Sequence, residues 1–451
     1  MITSTIGKIF LEAYNKKFCT NYDAKSFFVE VYYPLFFDDN KYLQWVTNSP
    51  FVQMKKGQKV ETLSKEERKE KLQDFLLKAE NAKNLDASIA PGYPASEEKA
   101  FATTSGQVTN IQLQAETDDI YYSWFGSSLG IGLQGGISIL FAEPEILLDL
   151  FDGWKIYRDA LSNTPKLKGN QVNTWNGQWL AHRYDQGGYF ADQPMANFNP
   201  FESKKGDDGM NVRVQIWIKV LIGIARHFQN PRIMGYVYSL GQTNTTIGFI
   251  PFNLDHIKRP LQLYQQIFGI DEGKKADELW GTETGLRVCC QKGAIGIEAM
   301  QPKGLIPYMT ADKKGEIKLP KYKEDDDKQK ISFHTYQIWL LAMLNNQELW
   351  DMSLEFAKAL NAYARSGVKG KTTNSRQIDE VLKATNKRSF IEALGNIASD
   401  ISDIDNIQEV ALVVNNMPTD NVPYFLTLVR FHVSSLNNKK SSLSNSIPNT
   451  L

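Results

Sequence analysis

The side chains that most often carry chemistry are sparse and scattered in this chain. Its five histidines (His182, His227, His256, His334, His432) include no pair four residues apart, and its three cysteines are Cys19 and the adjacent Cys289 and Cys290. A zinc site needs several nitrogen or sulfur ligands converging from close spacings, so neither a metal site nor a cofactor is expected. No CxxC, HExxH or Walker loop occurs, and no catalytic residue is expected. The run Gly130 to Gly135 (GIGLQG) does match GxGxxG. A dinucleotide site requires a helix to begin there, whereas Gly136-Ile137-Ser138-Ile139-Leu140-Phe141 alternates and reads as a strand. The five glycines between 126 and 136 instead imply a tight turn or a close approach of backbone to another group.

Amides and small hydroxyls cluster beside glycine in three places: residues 103–110 (TTSGQVTN), 170–179 (NQVNTWNGQW) and 241–246 (GQTNTT). Such side chains can read base edges, hydrogen-bond sugar hydroxyls between aromatic rings, or satisfy their own turns. With 51 basic and 51 acidic residues, the chain cannot coat nucleic acid by bulk charge. Charge is nonetheless segregated. Residues 84–153 hold ten acidic side chains and one basic, whereas residues 363–390 hold seven basic and two acidic. The second stretch includes the polar loop SGVKGKTT (366–373). Its Lys369 and Lys371, with Arg376, Lys387 and Arg388, suit contacts to a phosphate backbone.

The elements that must position these groups follow from periodicity. Helices are expected over 5–18, from Asp23 towards Pro34, and over 65–82, the last behind a Ser64–Glu67 capping box. Residues 84–330 change character, with candidate strands at 107–113, 119–125, 136–141, 234–240, 246–250 and 286–290 and helices at 143–161 and 210–229. The strand at 286–290 would point Cys289 and Cys290 to opposite faces as buried thiols. Residues 163–209 read as one long irregular segment rich in aromatics. The charged run 321–330 reads as a linker, and residues 331–437 are helical almost throughout. The expected fold is α+β. A mixed α/β N-terminal region with long loops covers 1–330, with a helical start over 1–83 and strands over 84–320. A C-terminal α-helical bundle follows over 331–437, then a disordered tail over 438–451. No apolar run approaches the ~20 residues of a membrane span. The N-terminus lacks the apolar core of a signal peptide, and three cysteines suit a reducing cytoplasm.

The segments FLEAYNKKF, DAKSFFVEVYYPLFF and WVTNSPF near the N-terminus, with ATTSGQVTN, the glycines of 130–136, NTWNGQW and the final NMPTDNVPYFLTLVRF, resemble the large subunit of type I CRISPR effector complexes (Cascade), of the type I-B or myxobacterial kind. The resemblance is spread over most of the chain. It implies an α/β region followed by a helical bundle similar to the separate small subunit, and no chemistry of the chain's own. It further implies that the chain reads a protospacer-adjacent motif on double-stranded DNA, aids strand opening and supports recruitment of a helicase-nuclease in trans. The implied partners are CRISPR RNA, target DNA, the repeat-backbone subunit, small subunits and the subunit that binds the 5′ handle. In a related subtype a glycine loop, a glutamine-bearing wedge and a lysine finger do the reading and opening.

By type, Gln107, Asn110, Gly132, Gln134, Gly135, Gln242 and Asn244 are the candidate motif readers, and Lys369, Lys371, Arg376, Lys387 and Arg388 the phosphate contacts. A second function class is a glycan-binding or glycan-active protein using loop 170–200. It would use Trp175, Trp179, Tyr184 and Tyr189 as platforms, with Asp185 and Asp192 as a carboxylate pair. A third is a structural assembly component.

Overall fold

Local signals start the helices where the sequence places them. Asp23 accepts from the Ser26 N–H at 2.7 Å and opens the helix Ala24–Phe27. Ser64 and Glu67 form the reciprocal box that opens Lys65–Glu80. Between Phe28 and Tyr32 the first of these widens into a π-turn, where Tyr33 donates to the Phe28 carbonyl. Pro34 follows immediately, and a proline lacks the N–H that a regular α ladder would need.

The computed structural model describes residues 2–46, 49–81, 116–203, 206, 208–239, 245–269, 273–321, 325–366 and 370–444. The fold is mixed α+β, with a small sheet among many helices and a helix-rich C-terminal part. Contacts divide the chain into two compact units, Met1–Leu254 with Cys290–Ile295, and Asp255–Cys289 with Gly296–Leu451. By this contact division the break falls at 254/255, with Cys290–Ile295 returning to the first unit. The helix Leu254–Phe268 carries Tyr264 and Phe268, whose rings pack on His334 in the helix Asp327–Leu344. That partnership across some 70 residues is tertiary, and no local composition signals it.

In the first unit the helix Ile2–Phe18 crosses Thr117–Ser128 at backbone contact. A Cβ on Gly7 would lie 2.1 Å from the Tyr122 carbonyl oxygen, and one on Gly126 would lie 1.9 Å from that of Thr3. Around this crossing Phe10, Phe27, Phe125, Phe151 and Trp154 form an aromatic core. The strands are β1 (Ile131–Leu133), β2 (Ile137–Phe141), β3 (Phe201–Ser203), β4 (Met210–Val212), β5 (Arg232–Ser239) and β6 (Thr245–Asn253). β3 and β4 pair alone; the others form an antiparallel sheet in the order β1-β2-β5-β6.

Several expectations are corrected. Residues 119–125 are helix, not strand. Thr117–Ser128 is buried on nearly every side from Ile120 onward, so it shows no polar stripe to betray a helical period. Residues 286–290 lie in the helix Glu283–Gln291, whose Thr282 hydroxyl accepts from the Gly285 N–H; Cys289 and Cys290 are both buried there. The segment 163–209 contains the helix Val172–Arg183. The stretch 210–229 starts as β4 and becomes helical only over Trp217–His227. The run 321–330 ends in helix, since Asp326 caps Asp327–Leu344. The last helix, Val422–Ser444, continues past residue 438. The proposed strand 107–113 lies outside the described residues.

In the second unit His432 is buried against Trp350, ring centroids 4.5 Å apart, and its Nε2 has no hydrogen-bond partner among the described residues. Burial pushes its pKa down to about 3, from an ordinary 6.5. Between those values the unfolded chain holds a proton that the folded one does not. The neutral-His packing is therefore fully stabilising above pH 6.5, and its contribution falls as pH drops towards 3. Urea unfolding should show wild type losing about 2 kcal/mol more than His432→Phe between pH 7 and pH 5. Equal losses would disprove the linkage.

Candidate functional site

The site is built by a helix that touches a strand. Gly177, on Val172–Arg183, would place a Cβ 2.3 Å from the Gly132 carbonyl oxygen, and a Cβ on Gly132 would meet the Asn173 carbonyl at 3.0 Å. Glycine on both sides lets the helix rest directly on β1. Asn173 Nδ2 then donates to the carbonyls of Ser127 and Gly130, and Asn176 Nδ2 to those of Ser128 and Gly130, at 2.7–3.2 Å. These amides satisfy carbonyls at and just after the end of Thr117–Ser128. The need for glycine at 132 is thus met inside the protein.

The hairpin tip beyond it faces solvent. Gly135 and Gly136 have φ of 89° and 70°, left-handed values that favour glycine. Gln134 is exposed, and its N–H donates to the Gln215 carbonyl at 2.9 Å. Ile137 pairs with Ser239, whose hydroxyl donates to the Gly136 carbonyl at 2.9 Å. Ser239 in turn pairs with Thr245. Segment 240–244 therefore leaves from and returns to strand ends beside the 134–136 turn. Of the three loops that carry the candidate motif readers, two are thus anchored at one end of one sheet.

Gln242 and Asn244 themselves lie outside the described residues, as do Gln107 and Asn110 of the third loop. Sequence reasoning missed Ser239 and Gln215, which hold the turn. Neither belongs to an amide cluster, and their roles exist only once β2 pairs with β5.

The amides of 170–179 are occupied within the fold. Gln171 Oε1 accepts from the Val212 N–H, and Gln178 donates to the Arg213 carbonyl and accepts from Gln215. The rings offered as sugar platforms are also enclosed. Trp175 stacks on Tyr157 and donates to the Gly153 carbonyl, while Trp179 donates to the Asp149 carbonyl. Tyr184 donates to Asp149 Oδ2 at 2.9 Å, and burial beside that carboxylate raises its pKa far above the ordinary range. These three rings present no free face. Tyr189 is half-buried with the Arg183 guanidinium over its ring, and Asp185 and Asp192 are exposed.

In the second unit, Lys369 lies outside the described residues and Lys371 begins the helix Lys371–Lys383. Arg376 belongs to that helix rather than to a loop. Its side chain is 79% exposed and pairs with Glu380, and Arg388, 88% exposed, pairs with Glu392 one turn on. Exposed pairs of this kind contribute little, so both guanidiniums remain open to an anion. Lys387 differs. Its ammonium donates to the carbonyls of Asn415 and Met417, at 2.7 and 3.0 Å, and so closes the end of the helix Ile404–Asn416.

A cleft of about 610 Å³ lies between residues 50–58 and the helix Lys65–Glu80, lined by both Lys55 and Lys71 and by Glu67, Glu70 and Asp74. Its mixed charge favours no single ligand class. Among the described residues no group of three or more His, Cys, Asp or Glu is placed to hold a metal ion, and no helix is long and apolar enough to cross a membrane. No known protein family, curated protein or solved structure matches the chain.

Proposed function

We propose that this chain is a non-catalytic recognition subunit of an RNA-guided complex, the large subunit of a type I CRISPR effector, working in the cytoplasm. The observation that carries the reading is the sheet end where the Gln134–Gly136 turn and the ends of segment 240–244 meet. Glycine there removes the Cβ that would hold a backbone away from a groove floor, and amides and hydroxyls are the groups that read base edges. In this reading Gln134, with Gln242 and Asn244, contacts the flanking motif on double-stranded DNA. Arg376 and Arg388 neutralise phosphates without reading sequence. CRISPR RNA, the repeat-backbone subunit, small subunits and the 5′-handle subunit complete the assembly, and a helicase-nuclease is recruited in trans.

The full chain, isolated from its own cells through an affinity tag, should bring with it short RNAs that share a common 5′ segment. Recovery free of RNA and of a repeat-backbone partner would overturn the proposal. With the assembled complex and targets carrying every permutation of the flanking motif, Gln134→Ala should lose about 1–3 kcal/mol and relax preference at one position. Arg388→Ala should weaken all targets alike and lower the slope of log affinity against log salt by about one. A shifted motif preference in Arg388→Ala, or an unchanged one in Gln134→Ala, would count against these roles.

A further inference from the structure

We propose that the outward face of β5–β6, centred on Tyr236 and Phe249, is a stacking platform for unpaired bases of a single-stranded nucleic acid. This rests on the nucleic-acid reading above and adds to it a second, sequence-tolerant contact. Tyr236 and Phe249 face each other across the two strands, with ring centroids 5.1 Å apart and planes inclined at 63°. The pair is not closed by mutual stacking, and Phe249 remains 61% exposed, with Met234 beside it at 50%. The Tyr236 hydroxyl donates to Thr246 Oγ1, which fixes the ring near the sheet end that holds the two loops. Aromatic rings on an open sheet surface stack bases of any identity, because every base has a π-face.

The hairpin's charge does not oppose this occupant. From Arg232 to Asn253 the hairpin contains one arginine and no carboxylate, so nothing on these strands repels a polyanion. Addition of a peptide strand to the edge is the competing use of such a ribbon. The edge strand β6 is bulged at Ile247, where the register slips between Val237 and Tyr238, and Gly248 stands at φ 113°. A bulge twists an edge away from further pairing and leaves the face, not the edge, available.

The test uses the full chain and three labelled probes: a single strand of about twelve deoxyadenosines, an abasic strand of the same length, and a duplex. Wild type should bind the base-bearing strand at least about tenfold more tightly than the abasic one. Phe249→Ala should remove about tenfold from the former and leave the latter unchanged, and Phe249→Trp should keep full affinity. Met234→Ser serves as a second variant and should lower base-bearing affinity in the same direction. If Phe249→Ala weakens neither strand, or both equally, the platform is wrong while the duplex arm still tests the wider reading. If wild type binds none of the probes, both fail. If Phe249→Ala instead turns a dimer into a monomer in sedimentation with binding intact, the face is a contact between copies and the platform is wrong.

Discussion

Gly126→Ala should lower the unfolding midpoint of the first unit by roughly 6–12 °C, equivalent to about 3 kcal/mol for a unit of this size. In an exposed helix the same change stabilises by up to about 1 kcal/mol, because alanine has the better helix propensity. Here the added methyl would stand 1.9 Å from the Thr3 carbonyl oxygen and 2.9 Å from the Gly7 nitrogen. Both are backbone atoms of the crossing helix Ile2–Phe18, so no rotamer change relieves the clash. The helices must separate, and the Phe10–Phe125 ring contact separates with them. Overpacking of this kind falls at the upper end of the usual penalty. Gly395, in the helix Lys387–Ala398, is the internal control, since a Cβ there meets nothing within 4 Å. Gly395→Ala should hold or raise the midpoint of the second unit, and calorimetry of both variants decides the matter. A wild-type profile for Gly126→Ala would show that the crossing yields without loss.

Arg430→Leu should destabilise the second unit by about 3–5 kcal/mol, as two or more buried acceptors lose their donor. The guanidinium is almost wholly buried, and no carboxylate is among its hydrogen-bond partners. It donates to the carbonyls of Leu382 and Ala384 at 2.6 and 2.5 Å, to that of Tyr308 at 3.1 Å and to the Thr427 hydroxyl at 3.0 Å. Burial pushes its pKa down to about 10, so it stays charged at neutral pH. Leucine fills similar space but leaves these carbonyls without that donor, and each buried orphan costs about 1–3 kcal/mol. Arg430→Lys should recover only a fraction, because an ammonium cannot span a planar fork of acceptors. Urea midpoints give the ranking. Leucine at wild-type stability would mean that apolar packing there matches the polar network.

The cap at Asp23 and the capping box at Ser64 were legible because a cap is a local event, confined to four residues. The helices Glu348–Ser366, Lys387–Ala398 and Ile404–Asn416 were legible because each keeps an exposed face to solvent. Thr117–Ser128 and Val172–Arg183 were not. The first is buried around its circumference, and the second opens on Asn173, Thr174, Asn176 and Gly177, poor helix formers held in place by carbonyls of another segment. The candidate site divides the same way. The exposed turn at 134–136 could be read from its glycines, but its meeting with segment 240–244 depends on the pairing of Ile137 with Ser239, about a hundred residues apart in sequence. Lys387 and Arg388 look alike as neighbours in a basic stretch. Only the carbonyls of Asn415 and Met417 separate an internal brace from an open cation.

The tethers on the Gln134–Gly136 turn bear on how the chain can change length. The Gln215 carbonyl holds one side of that turn and the Ser239 hydroxyl the other, so an inserted residue there would break a clasp and slip β1 against β2. Segment 240–244 begins after the Ser239–Thr245 pair has already set the register of its hairpin. Residues can be gained or lost within it while the strands stay in step. At this sheet end the Gln134–Gly136 turn is a fixed stop, whereas the hairpin of β5 and β6 takes its register from the strand pairs themselves.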